Sequence, residues 1–272
     1  MSYLKSYLDD KIQNGEKILS IYLTAGFPTI DATLPYLETI AAAGADIIEI
    51  GVPFSDPLAD GPTIQHASQI ALKSEISLHK IFEIISDFKV KQDIPVLLMG
   101  YCNPFLQFGW ENLAKSSMDS QISGFIIPDL PPEESEPIRS VFQKKEIDLI
   151  YLAAPNTPPE RLLQIEHLST AFIYAVSLTG VTGARDKLPD QTKDFLVRLR
   201  QISKKNILVG FGISSTDTAQ KLVQHCDGVI IGSAIIKLIQ NSQNPADAKQ
   251  QIYDFIKKIK DSLKNISGSP IS

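Results

Sequence analysis

Between Ile47 and Gly61 the chain reads I-I-E-I-G-V-P-F-S-D-P-L-A-D-G. One carboxylate, Glu49, interrupts a strand-like apolar run, and the Pro/Gly-punctuated loop that follows carries Asp56 and Asp60. An acid in such a run is costly when buried without a partner. A chain that keeps one there, with a second acid on the next loop, points to acid–base chemistry by the pair. A partly desolvated carboxylic acid has a raised pKa and can both give and take a proton near neutrality. The bland alternatives are a buried Glu49 bonded to an inward tyrosine such as Tyr174 or Tyr101, and an Asp60 that serves only the Asp-Gly-Pro turn. Asp56, before Pro57, reads as scaffold.

A second group of residues suits an anion. Three glycine-bearing turns follow the last three strand-like runs: Thr179-Gly180-Val181-Thr182-Gly183-Ala184-Arg185, Gly210-Phe211-Gly212-Ile213-Ser214, and Ile231-Gly232-Ser233-Ala234. Glycine lets backbone N–H groups approach a phosphate closely, and a helix starting at Gly232 or Ser233 adds its positive end. Gly183, Gly212, Gly232 and Ser233 are therefore the candidate phosphate ligands, with Thr182 beside them as a substrate contact. The segment Leu178–Pro189 has glycine hinges and reads as a lid, in which Arg185 binds substrate or steadies the closed form. Tyr101 and Asp129, each just beyond a strand-like run, are further candidate substrate contacts, and a turn role suits Asp129 equally well.

Other chemistries lack their residues. No lysine ends a strand, so a Schiff base has no amine. His66, His79, His167 and His225 all fall on helical segments, and no metal-ligand spacing exists. What remains is carbon–carbon or proton chemistry on a phosphorylated small molecule, driven by two acids without metal or cofactor.

The elements that must position these residues alternate. Short Ile/Val/Leu-rich runs lie at Ile18–Thr24, Asp46–Gly51, Pro95–Met99, Gly124–Pro128, Asp148–Ala153, Ala171–Val176, Ile207–Gly210 and Gly228–Ile231. Continuous apolar runs suit parallel strands covered on both faces. Amphipathic stretches separate them, among them Asp31–Ala43, Ile64–Lys73, Leu78–Val90, Gln107–Met118, Pro159–Leu168 and Thr216–His225. The pattern predicts a (β/α)8 TIM barrel, which places chemistry at the strand C-termini. An extra N-terminal helix, Leu4–Gln13, would plug the barrel's bottom, Ala246–Leu263 would be the terminal helix, and the tail 265–272 would fray. The 272 residues read as one domain. With Ile48 and Ile50 facing the helices, Glu49 points into the barrel.

Composition adds limits. The chain is 43% hydrophobic and 21% charged with a net charge of −5, an ordinary globular balance. Its lysine pairs, Lys144-Lys145 and Lys257-Lys258, look like solvated helix faces, so no nucleic-acid surface is expected. No run approaches the roughly 18 apolar residues of a membrane span, and the N-terminus does not read as a signal peptide. Cys102 and Cys226 fit no metal or redox spacing and suit a reducing compartment, the cytosol or a plastid stroma.

These residues carry a resemblance. Ile48–Gly61 resembles the signature of the tryptophan synthase alpha chain family, and the likeness continues through Leu23-Thr24-Ala25-Gly26-Phe27-Pro28, Met99-Gly100-Tyr101-Cys102-Asn103-Pro104, Pro128-Asp129-Leu130-Pro131, Gly180–Arg185, Gly210–Ile213 and Gly232-Ser233-Ala234. The resemblance implies a lyase that splits indole-3-glycerol phosphate into indole and glyceraldehyde 3-phosphate. It implies Glu49 as proton shuttle, Asp60 as partner of the indole N–H, and Tyr174 as an active-site tyrosine. Tyr22 stands where the family often has phenylalanine beside the indole, so its hydroxyl is an addition to that pocket. It further implies a beta chain in an alpha2-beta2 heterotetramer, with pyridoxal phosphate held by that partner and no cofactor here. The loops Pro53–Asp60 and around Asn103-Pro104 would form part of the shared interface. The rivals are an isomerase or epimerase on the same barrel, and a non-catalytic subunit kept to activate its partner.

Overall fold

The computed structural model describes residues 1–176, 190–210 and 212–264. Strands β1 (Ile18–Thr24), β2 (Ile47–Gly51), β3 (Val96–Met99), β4 (Gly124–Ile126), β5 (Asp148–Ile150), β6 (Leu152–Ala153), β7 (Phe172–Val176), β8 (Asn206–Gly210) and β9 (Gly228–Ile231) form one parallel sheet in the order β5-β4-β3-β2-β1-β9-β8-β7-β6. The predicted fifth strand is broken at Tyr151 into β5, which pairs β4, and β6, which pairs β7. The Ser169 hydroxyl accepts from the Tyr151 amide at 3.3 Å, while the Tyr151 carbonyl still accepts from the Tyr174 amide at 3.1 Å. The chain itself thus closes the ring of a TIM barrel.

Around it run α1 (Tyr3–Gln13), α2 (Thr33–Ala42), α3 (Pro62–Lys73), α4 (Leu78–Lys89), α5 (Cys102–Phe108), α6 (Trp110–Asp119), α7 (Glu136–Gln143), α8 (Pro159–Leu168), α9 (Asp190–Ile202), α10 (Thr216–Leu222), α11 (Ser233–Asn241) and α12 (Pro245–Lys264). The helix expected at Gln107–Met118 is two helices, because Gly109 adopts φ +86° and turns the chain between α5 and α6. Asn103 and Pro104 lie in the first turn of α5, where proline is tolerated, and not in a loop. Helix α3 begins at Pro62, its first residue, two positions before the expected start.

Strand side chains alternate between two cores. Ile48 and Ile50 join the outer core, between strands and helices, with Leu37, Ile40 and Phe88. Ile18, Tyr22, Ile47, Leu97, Met99, Phe172, Tyr174, Leu208 and Ile230 fill the barrel interior. Leu4 and Leu8 of α1 are fully buried in that interior core, so α1 does plug the barrel. At the same bottom end Asp46 accepts from the Leu19 amide at 2.8 Å and pairs with Lys11 of α1 at 3.1 Å and Lys260 of α12 at 2.5 Å.

Candidate active site

Strand β2 delivers Glu49 to the inward face, in register with Tyr22 of β1 and Leu97 of β3. The residue is fully buried. The Ser20 hydroxyl donates to its Oε1 at 2.7 Å, and Oε2 has no hydrogen-bond partner among the described residues. Of the bland partners the sequence offers, Tyr101 bonds Asp60 instead, and it is Ser20, two residues before Tyr22, that donates to this carboxyl. Burial raises the Glu49 pKa from 4.5 to about 7, and the Ser20 hydrogen bond opposes that rise only in part.

A cavity of about 300 Å³ opens at the C-terminal mouth; Glu49 does not line it directly but lies in register with Tyr22, which does. Tyr22, Met99, Tyr174 and Ile230 form its inner wall, Asp60 and the start of α3 its rim, and Gly212, Gly232 and Ser233 its far end. Room for the two tyrosines comes from inward glycines. A Cβ on Gly51 would sit 2.0 Å from the Tyr22 hydroxyl oxygen, and one on Gly210 would sit 2.3 Å from that of Tyr174. The Tyr22 hydroxyl accepts from the Thr24 hydroxyl at 3.3 Å, so its oxygen is engaged at the β1–β2 seam while its ring faces the cavity. Burial, and then the nearby acids, push both phenols well above the ordinary tyrosine range.

Asp60 sits at the end of the β2–α3 loop. The Tyr101 hydroxyl donates to its Oδ2 at 3.1 Å and accepts from the Ala59 amide at 2.9 Å. The Gln65 side-chain amide donates to the Asp60 carbonyl at 2.9 Å. These bonds tie the loop to the barrel rim and to the first turn of α3. Burial lifts the Asp60 pKa from 3.8 to about 6, against the Tyr101 bond, which lowers it. Two acids near the same cavity thus titrate within reach of neutrality, a common property of functional sites.

The anion end is backbone. Gly212 adopts φ +76°, a conformation that favours glycine, and Gly232 caps the N-terminus of α11. The amides there and the positive helix end face the cavity. Lys237, one turn further along α11 on the face of Ser233, also lines it.

The structure therefore brings Glu49, Asp60, Tyr22, Tyr174, Gly212, Gly232 and Ser233 to one place, with Tyr101 behind Asp60. Asp129 stands apart. It is exposed, and its Oδ1 accepts from the Cys102 amide at 2.8 Å, which caps the first turn of α5. Asp56 is exposed and accepts from Ser55. Thr182, Gly183, Arg185 and the expected lid lie outside the described residues. Sequence reasoning passed over Ser20 and Lys237. Ser20 was findable by the signal that marks Glu49, a polar residue in an apolar strand, and Lys237 by its spacing from Ser233. Among the described residues no group of three His, Cys, Asp or Glu side chains could hold a metal, and no helix is long and apolar enough to cross a membrane.

A closed parallel barrel with acids of raised pKa beside a glycine-lined anion end is an enzyme of the phosphate-binding TIM-barrel class. Known proteins narrow the class. The family model for the tryptophan synthase alpha chain matches residues 8–264. The tryptophan synthase alpha chain of Petrotoga mobilis is 41% identical over 251 residues, which is 92% of this chain and 97% of that one. The alpha chain of Carboxydothermus hydrogenoformans is 39% identical over 267 residues, 98% of this chain and all (100%) of that one. The crystal structure of tryptophan synthase subunit alpha from Legionella pneumophila matches with a TM-score of 0.91 at 32% identity, covering 98% of this chain and 100% of that one. This chain belongs to the tryptophan synthase alpha chain family, lyases of tryptophan biosynthesis that cleave indole-3-glycerol phosphate to indole and glyceraldehyde 3-phosphate.

Proposed function

We propose that Glu49 carries the proton through both halves of this cleavage and that Asp60 holds the charge that appears between them. A retro-aldol needs an electron sink, and this substrate has no carbonyl. The Glu49 carboxylic acid protonates the ring carbon that bears the side chain, which leaves the ring nitrogen positive. The Asp60 carboxylate accepts from that N–H and stabilises the charge. The Glu49 carboxylate then takes the proton of the side-chain hydroxyl next to the ring. The carbon–carbon bond breaks, its electron pair restores the neutral indole, and the hydroxyl carbon leaves as the aldehyde. The acid ends protonated as it began, and the step consumes no cofactor.

The observation that carries this reading is the carboxyl of Glu49: fully buried in register with the cavity-lining Tyr22, with one oxygen unpartnered among the described residues and a pKa raised to about 7. The rings of Tyr22 and Tyr174 flank the indole, and Tyr101 holds Asp60 in place. Gly212, Gly232, Ser233 and the N-terminus of α11 bind the phosphate, with Lys237 adding positive charge. Asp129 serves the fold and not the substrate. Indole passes to a beta chain that holds pyridoxal phosphate and makes tryptophan, in an alpha2-beta2 assembly. Leu58, 93% exposed on the loop between β2 and α3, suits docking to such a partner. Two unpaired cysteines fit a reducing, cytoplasmic setting.

Indole release from indole-3-glycerol phosphate, measured alone and with a beta chain, tests the proposal, and gel filtration of the mixture tests the assembly. Release that rises with the beta chain, and co-elution of the two, are the expected results. Turnover that persists in Glu49→Gln would overturn the proton assignment, and separate elution would overturn the partner.

A further inference from the structure

We propose that Ser20 is a positioning residue for the Glu49 proton: its hydroxyl holds Oε1, so that the proton sits on Oε2, the oxygen left for substrate. The inference rests on Glu49 being the proton carrier. Ser20 lies on β1 at the inward position below Tyr22 and level with Ile47. It is fully buried, and among the described residues its one side-chain hydrogen bond is the 2.7 Å donation to Glu49 Oε1. Oε2 has none. The two oxygens of the carboxyl are therefore not equivalent. An oxygen already accepting a hydrogen bond is the carbonyl oxygen of the protonated acid, and the other carries the O–H.

The same bond acts on the ionised form. Once the proton has gone to substrate, the carboxylate is buried with a single donor among the described residues, and that donor is Ser20. Its hydroxyl favours the charged state and keeps the carboxyl able to release its proton. Without it, burial alone sets the acidity, and the acid holds its proton more tightly. Ser20 touches neither substrate nor cavity; it acts through Glu49. The outcome is an acid with a defined reactive oxygen and a proton that can leave, produced by a single serine in an otherwise apolar part of the barrel.

The test is the pH dependence of indole release by the full chain with its beta chain, for wild type, Ser20→Ala, Ser20→Thr and Glu49→Gln. Ser20→Ala is expected to lower kcat about tenfold with KM within about twofold, and to move the Glu49 ionisation upward by about one pH unit. Ser20→Thr keeps the hydroxyl and restores both. Should Ser20→Ala fail to fold by circular dichroism, Ser20→Cys, similar in size but a weak donor, is expected to show the same upward shift. A folded alanine or cysteine variant whose pH profile superimposes on wild type overturns the inference, as does a folded Ser20→Thr that behaves like Ser20→Ala. Substantial turnover in Glu49→Gln would instead remove the proton-carrier reading and this inference with it. An inactive Glu49→Gln with an unshifted Ser20→Ala removes Ser20 alone.

Discussion

Strand β2 carries one buried acid just before its first residue and another at its middle, and the two have opposite surroundings. Asp46, just before the strand at the barrel's bottom, is 2% exposed and has two lysines and a backbone amide around it. Glu49, three residues on toward the mouth, has one hydroxyl and an empty oxygen. Burial is common to both, so burial is not what marks a working acid. A missing partner is not enough either, since buried Asp148 also leaves Oδ2 without one; what sets Glu49 apart is such an oxygen on a residue in register with the cavity-lining Tyr22. Asp46 has its charge matched where it stands and joins elements, whereas Glu49, the proposed proton carrier, leaves one oxygen without a partner among the described residues.

Removing each acid should separate the two cases. Glu49→Gln is expected to lower indole release by at least about 10³-fold, within the range for general acid–base catalysis, while substrate still binds. Its effect on stability should follow pH. Because the folded pKa of about 7 lies above the ordinary 4.5, the native state holds this proton more tightly than the unfolded chain. The contribution is full below 4.5 and is lost as pH rises through about 7. Urea titrations should show wild type losing on the order of 3 kcal/mol relative to Glu49→Gln over that window. Equal loss in both proteins would mean that Glu49 does not titrate as described.

Asp46→Ala should behave the other way. It leaves Lys260, and in part Lys11, without a partner, and is expected to cost about 3 kcal/mol in urea unfolding with kcat of the folded protein near wild type. A large loss of kcat with unchanged stability would erase the distinction between the two acids. The smallest effect belongs to the wall between the acids and the substrate. Gly51→Ala puts a methyl group where the Tyr22 hydroxyl lies, so the ring must move into the cavity. A rise in KM of about tenfold, or about 1.4 kcal/mol, is expected in steady-state kinetics, without displacement of the Glu49 ionisation.

Much of this was legible in the sequence. The apolar runs of parallel strands buried on both faces, and the single acid in one of them, needed no coordinates. Nor did the glycines at Gly212 and Gly232, whose type alone suggests close approach to an anion. Other features needed the third dimension. Tyr22 reads as an extra hydroxyl in the indole pocket, but the pleat turns that hydroxyl toward Gly51 and Thr24. Asn103-Pro104 reads as loop because proline breaks helices, yet in a first turn it breaks nothing. Asp129 falls beyond a strand end, where catalytic groups gather, but a nearby helix amide takes it first. Ser20 stands out as a polar residue in an apolar strand, but only the register, which pairs it with Ile47 and sets Glu49 diagonally across, shows what it bonds.

Asp46 also bears on how the chain is made. Its partners come from both extremes of the polypeptide, since Lys260 lies 214 residues further along and Lys11 belongs to the first helix. β1 likewise waits for β9 to cover its second edge. During synthesis, nearly the whole chain must leave the ribosome while that edge stays open and the Asp46 carboxylate has only half of its cations. Open strand edges invite pairing with other chains, and contacts this distant form slowly. That edge is covered once β9 has emerged, and α12 then brings the second cation to Asp46.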